Sequence, residues 1–199
     1  MKAQPRRGPP ACASSCAARR AVMLSALSAL TLAWAPQPRA EDRSAEYQIK
    51  AAFLYKFGGY VEWPVQAFER TDAPVVIGVV GAQQVLEEIR QTAAGRSVNG
   101  RAVTVRRLRP GDPVEGVHIL FVAGARPEGL EQSLSRARGQ AVLTVTEAED
   151  PGLPSGIINF VVIEDKVRFV IAPQQAESSN LKISARLLSV AYKVIARPS

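Results

Sequence analysis

The stretch VVIGVVG, Val75 to Gly81, constrains this chain more than any other. It runs without a polar side chain and ends on glycine. A strand with one wet face alternates apolar and polar residues. A run with no alternation is buried on both faces, as a central strand of a parallel sheet is. Two further runs of the same kind follow, VHILFVAG (Val117 to Gly124) and AVLTVTE (Ala141 to Glu147). Between them the pattern turns helical. One helix runs from about Ala82 to Ala93 with Val85, Leu86 and Ile89 inward, and another opens at Pro127 and runs to about Arg138. SVNGRAVTVRRL holds a turn at Asn99-Gly100 and then an alternating strand from about Ala102 to Leu108.

Both ends of this array differ from its middle. Upstream, Ile49, Ala52, Phe53, Phe57, Tyr60 and Val61 recur at helical steps, Lys50, Lys56 and Glu62 fall largely off that face, and Trp63-Pro64 closes the helix because proline disfavours the helical region before it. The Gly58-Gly59 pair inside that pattern marks close packing or a kink. Downstream, IINFVVIEDKVRFVIA reads as an antiparallel hairpin turning at Glu164-Asp165-Lys166. A long helix from about Gln174 to Ile195 is expected last, with Leu181, Leu188, Ala191 and Ile195 as its apolar stripe. The expected fold is an α/β three-layer domain with a mixed, mainly parallel sheet, a C-terminal antiparallel hairpin and flanking helices.

The net charge of +7 suggests a nucleic-acid binder, but its distribution does not. Residues 1–40 carry six basic residues and no acid, which leaves 19 basic and 18 acidic residues in 41–199. The basic run VRRLR, Val105 to Arg109, reads as a solvated strand face, so no nucleic-acid partner is expected. The leader has the layout of a secretory signal: Arg19-Arg20, then 15 uncharged residues from Ala21 to Ala35, then Pro36 and Pro38. Cleavage after Ala40 gives a small residue at −1 with Pro38 at −3, cleavage after Ala35 matches Ala-x-Ala better but sets Pro36 beside the scissile bond, and the apolar run is short for an uncleaved anchor. Residues 1–40 are thus expected as a signal peptide and 41–199 as an exported domain. Cys12 and Cys16 both precede the apolar run, so the exported part has no disulfide, cysteine-zinc site or thiol chemistry.

Little in the folded part points to catalysis. His118 is the single histidine and lies in an apolar strand, where a structural role is the usual one. Glu147, Glu149 and Asp150 form an acidic group after a strand, which reads as a solvated loop rather than an acid/base pair. The glycines at Gly78 and Gly81 lack the remainder of a phosphate-binding motif. No catalytic residue, metal or cofactor is expected. The default ligand crevice of such a sheet, at the carboxyl ends of its parallel strands, would be bordered by Gly81, Gly124 and Glu147. The aromatic helix is more distinctive. Tyr55, Tyr60 and Trp63 need not all face the core, and such residues concentrate binding energy at protein contacts.

The same helix carries a resemblance. IKAAFLYKFGGYVEWP is similar to the opening motif of the YfiR-like periplasmic proteins: Lys50, Ala51, Ala52, Phe53, Leu54, Tyr55 and Phe57, then Glu62, Trp63 and Pro64. VNGRAVTVRRL, HILFV, VLTVTE, VRFVIA and LKISARLLSVA resemble later segments in order, covering 46–195. Two departures stand out. Gly116-Val117 occupies the place of a cysteine found in relatives, and Val170 and Ala172 replace an acidic residue and an asparagine.

The resemblance implies a periplasmic, non-enzymatic regulator that binds the periplasmic domain of an inner-membrane diguanylate cyclase and represses it, lowering cyclic di-GMP. It also implies an outer-membrane lipoprotein that relieves the repression. The expected contact residues are Tyr55, Tyr60, Glu62 and Trp63 with the loop Pro64 to Arg70, a surface that suits a homodimer equally. A small-molecule sensor or carrier using the Gly81–Gly124–Glu147 crevice is the alternative.

Overall fold

The computed structural model describes residues 40–124, 126–147 and 156–195. The leader with both cysteines lies outside them, as do Glu149, Asp150 and most of the loop at 150–156. Helix α1 (Ala40–Phe57) leads to β1 (Val61–Glu62), a 3-10 turn (Val65–Ala67), β2 (Val75–Val80) and α2 (Gln83–Ala93). The hairpin β3 (Ser97–Val98) and β4 (Arg101–Leu108) follows, then β5 (Ile119–Val122), α3 (Pro127–Ala137) and β6 (Leu143–Thr146). The chain closes with β7 (Ile158–Ile163), β8 (Lys166–Ile171), α4 (Pro173–Ser178), β9 (Lys182–Ile183), α5 (Ala185–Val190) and β10 (Lys193–Val194).

Among the described residues, eight strands form one sheet in the order β10-β8-β7-β6-β5-β2-β4-β3. All neighbours are parallel except the hairpins β7–β8 and β3–β4. Helices α1 and α2 pack on one face through Leu54, Phe57, Leu86 and Ile89. Helix α3 packs on the other through Leu130 and Leu134. This is the expected three-layer α/β domain with its mainly parallel sheet and C-terminal hairpin. β5 and β6 are buried at every residue, and β2 at all but one. Gly78 in β2 is needed for that burial, because a Cβ there would stand 2.7 Å from Leu108.

Both hairpins turn where expected. Asn99 and Gly100 have φ of 51° and 77°, and Glu164 and Asp165 have φ of 50° and 57°. Two successive positive φ values make the turn whose twist matches the flanking strands.

Two expectations about the ends are corrected. The first helix stops at Phe57, not at Trp63. Gly58–Tyr60 form its exit turn, in which the Gly59 and Tyr60 amides donate to the Lys56 and Phe57 carbonyls. The buried face is Lys50, Ala51, Leu54 and Phe57, while Ile49 is 44% exposed.

The long C-terminal helix is two short ones separated by β9. Asn180 sits at φ 54°, where it donates to the Glu177 carbonyl, and the Leu181 amide donates to that of Ala176. This pair of bonds closes a helix around a left-handed residue, a conformation asparagine tolerates. The Ser184 side chain then accepts from the Leu187 amide and starts α5. The helical spacing of Leu181, Leu188, Ala191 and Ile195 is therefore a coincidence across three elements. Leu181 is buried, and Ile195 is 46% exposed beyond β10.

Five of the six phenylalanines hold the α1 layer to the sheet. Phe53, Phe57, Phe121, Phe160 and Phe169 make ring contacts with centroids 5.3 to 6.1 Å apart. Phe57 is fully buried in this cluster. Replacing it with alanine is expected to cost about 3–5 kcal/mol of unfolding free energy, read from urea denaturation. A loss below about 1 kcal/mol would show that the ring cluster does not anchor α1.

Candidate protein-contact site

The exit from α1 places the predicted contact residues in different settings. Tyr55 is half-buried; its hydroxyl donates to the Ser97 carbonyl at 2.9 Å, and the Arg96 guanidinium lies 5.8 Å from its ring centre. It fastens α1 to the β3 hairpin. Tyr60 is half-buried against the core, and its carbonyl accepts the Ser184 amide at 2.9 Å. Glu62 is exposed on β1, opposite Lys182 of β9. Trp63 is half-buried, and its indole N–H donates to the His118 carbonyl at 3.3 Å.

Glu62 and Trp63 do share a feature. They line a cleft of about 270 Å³ whose walls include Val61, Phe68, Val98 and Arg101. Val65 stands beside them on the 3-10 turn, 84% exposed, with nothing local to bury it. Tyr55 and Tyr60 are not part of this cleft lining.

Sequence reasoning missed the group that holds this loop. Phe68 stacks on His118 with ring centres 4.3 Å apart, and the Arg101 guanidinium lies 3.8 Å from the Phe68 ring centre. Arg101 also donates to the Ala73 carbonyl at 2.8 Å. His118 Nδ1 accepts the Val76 amide at 3.1 Å, and Nε2 lies 3.1 Å from the Ala67 carbonyl. Burial holds the His118 pKa below its usual value, and the nearby Arg101 charge adds to this, against the hydrogen bond to Ala67. A histidine opening an apolar strand was the only trace of this arrangement in the sequence.

The crevice residues lie at the opposite end of the strands. Gly81 follows β2 at φ 84° and borders a recess of about 150 Å³ with Gln83, Arg107 and Arg109. Neither Gly124 nor Glu147 lines that recess. Gly124 follows β5, exposed, at φ 63°. Glu147 follows β6, and its carboxylate is 2.5 Å from the Lys50 ammonium, which also pairs with Glu46.

Lys50 was expected on the outer side of the helix and is instead 1% exposed. Burial by itself pulls its pKa down. The hydrogen bonds and charges of Glu147 and Glu46 outweigh that and hold it above the usual value. Among the described residues, no cluster of side chains suited to hold a metal ion occurs.

The crevice end of the sheet thus has its carboxylate engaged by lysine, and the other end carries an exposed apolar residue beside an aromatic-walled cleft. The chain belongs to the YfiR/HmsC-like family, whose model matches residues 47–192. Proteins of this family are non-catalytic periplasmic regulators that bind the periplasmic sensor domain of an inner-membrane diguanylate cyclase. The chain is accordingly a periplasmic regulator linked to cyclic di-GMP signalling. No curated protein matches the chain.

The Lys50 triad gives a test of how the crevice is held. Replacing Glu46 and Glu147 together with glutamine leaves a buried ammonium without a counter-charge. This is expected to cost about 3–5 kcal/mol. Lys50→Met is expected to cost less, because both carboxylates are about 30% exposed and rehydrate. Urea denaturation of the two variants gives the order, and the reverse order would show that the ammonium is tolerated without its counter-charges and that leaving the two carboxylates unpaired is the larger cost.

Proposed function

We propose that this protein represses its diguanylate cyclase through the surface formed by Glu62, Trp63, Val65 and the loop that follows, with Tyr55 and Tyr60 supporting it from the α1 exit. The observation that carries this reading is Val65. An aliphatic side chain 84% exposed on a hydrogen-bonded turn, beside a cleft walled by Trp63 and Phe68, has the layout of an interface centre. Glu62 and Arg101 supply charges of both signs at its rim, which fix register rather than affinity. Residues 1–40 act as the export signal, and the domain from 41 onward is the working protein. An outer-membrane lipoprotein that covers the same surface would release the cyclase.

A regulator without a membrane helix of its own acts by binding one conformation of its partner more tightly than the other. Among the described residues, no helix is long and apolar enough to cross a membrane.

Intracellular cyclic di-GMP tests this. Deleting the gene should raise it, and the wild-type chain should restore it. The double variant Glu62→Ala, Val65→Asp should fail to restore it while melting at the wild-type temperature, since neither side chain supports the fold. Restoration by the variant would place the surface elsewhere, and no rise on deletion would end the repressor reading.

A further inference from the structure

His118 is the chain's one histidine, and both of its ring nitrogens are engaged although it is only 3% exposed. Because Nδ1 accepts from the Val76 amide, the ring proton sits on Nε2, which donates to the Ala67 carbonyl. One nitrogen thus grips β2 and the other grips the 3-10 turn that carries Val65. The rings of Phe68 and Trp63 lie against the same imidazole, stacked at 4.3 Å and edge-on at 6.1 Å. The middle of the 63–73 loop is fastened to the sheet at this one neutral side chain, while Arg101 of β4 holds its far end through the Ala73 carbonyl.

We propose that His118 is a proton-operated clasp: protonating its imidazole releases the 63–73 loop from β2 and dismantles the contact surface that loop carries. The clasp deepens the surface reading above and rests on it for its effect on the cyclase, though not for the opening itself. With both nitrogens protonated, the Nδ1–H points at the Val76 N–H, donor against donor. The new charge also meets Arg101, held over Phe68 from β4. Among the described residues, no carboxylate faces the ring in compensation. Glu62, Glu69, Asp72 and Glu115, with Arg70, are exposed on the neighbouring segments.

The direction follows from linkage. The clasped ring favours its neutral form, whereas a ring in an opened loop titrates near its ordinary value of about 6.5. The opened form therefore binds the proton more tightly, and acidification below about pH 6.5 shifts the population toward it. Each pKa unit of difference is about tenfold in the opening equilibrium. The outer membrane's porins are water-filled, so the periplasm is open to external protons.

The test uses protein purified from the periplasm, in which a single histidine gives a single imidazole signal by NMR. Hydrogen exchange at the Val76, Ala67 and Phe68 amides is followed from about pH 7.5 to about pH 5.5, corrected for intrinsic rates. Protection should fall by up to about tenfold across that range, beginning as the pH drops below about 6.5. His118→Gln keeps a donor for Ala67 but cannot titrate, and should lose this pH dependence. Arg101→Gln removes the like charge and should move both the imidazole midpoint and the exchange transition to higher pH. Protection that holds while the imidazole titrates, or that falls equally in His118→Gln, overturns the clasp. If opening follows the imidazole but cyclic di-GMP ignores external pH, the surface reading fails and the clasp stands.

Discussion

The burial of Phe57 among four other phenylalanines is the contact on which the functional half of this domain depends. It fixes the end of α1 against β7 and β8, and so fixes where the chain leaves the helix. Four residues later the chain must enter β1, because Val61 and Glu62 pair with Ile183 and Lys182. That pairing aims Trp63 at the start of β5, where its indole reaches the His118 carbonyl. The surface loop is thus positioned by a core contact six residues before it begins. Gly58 completes the arrangement by letting the exit turn lie on Val98, where an added Cβ would be 3.2 Å from that side chain.

The buried ionisable groups obey one rule with two outcomes. Removing a charge from water is tolerated when a counter-charge replaces the solvent, and otherwise the group becomes neutral. Lys50 has two carboxylates at hand and stays charged. His118 has a guanidinium for a neighbour and stays neutral. The first arrangement holds at any ordinary pH, because a lysine whose pKa is raised does not titrate there. The second lies within reach of physiological acidification. Rigidity at the crevice end of the sheet and responsiveness at the loop end follow from these two choices of neighbour.

The middle of the chain was legible because both-face burial writes itself into sequence. VVIGVV, ILFV and LTVT need no partner information to be read as central strands, and the helices between them carry strong one-sided patterns. The ends were not legible for a common reason. β1, β9 and β10 are two residues long, too short for any periodicity, and exist only because a partner strand is present. The residues of α4, β9 and α5 then concatenate into a false helical stripe, with Asn180 as the one local sign of a break. In the candidate site, Glu62 and Trp63 were found through their aromatic and proline context. Val65 and Phe68 entered only as part of the loop Pro64 to Arg70, and Arg101 not at all, because the contacts that set Phe68 and Arg101 apart are with residues far away in sequence. Lys50 was misplaced for the same reason: a lysine reads as solvent-facing until Glu147, 97 residues away, is known to be its partner.

The dimensions of the cleft limit how repression works. A space of about 270 Å³ takes one or two side chains, whereas a stable, specific interface buries about 1,200–2,000 Å² in total. The contact must therefore spread beyond the cleft, and β1 shows where. Among the described residues it pairs with β9 alone, and its residues Val61 and Glu62 line the cleft together with Val98 of β3, the end strand of the larger sheet. A partner segment laid along β1 would gain backbone hydrogen bonds from its other edge and specificity from the cleft beneath it. To hold a two-state cyclase almost wholly inactive, the preference for the inactive form must approach 10⁴-fold by a rough estimate. A single buried side chain supplies a fraction of that free energy, and a rigid loop must supply the remainder by avoiding the entropy cost of ordering on contact. The clasp at His118 provides that rigidity, so loosening it weakens repression by displacing the loop that touches the partner.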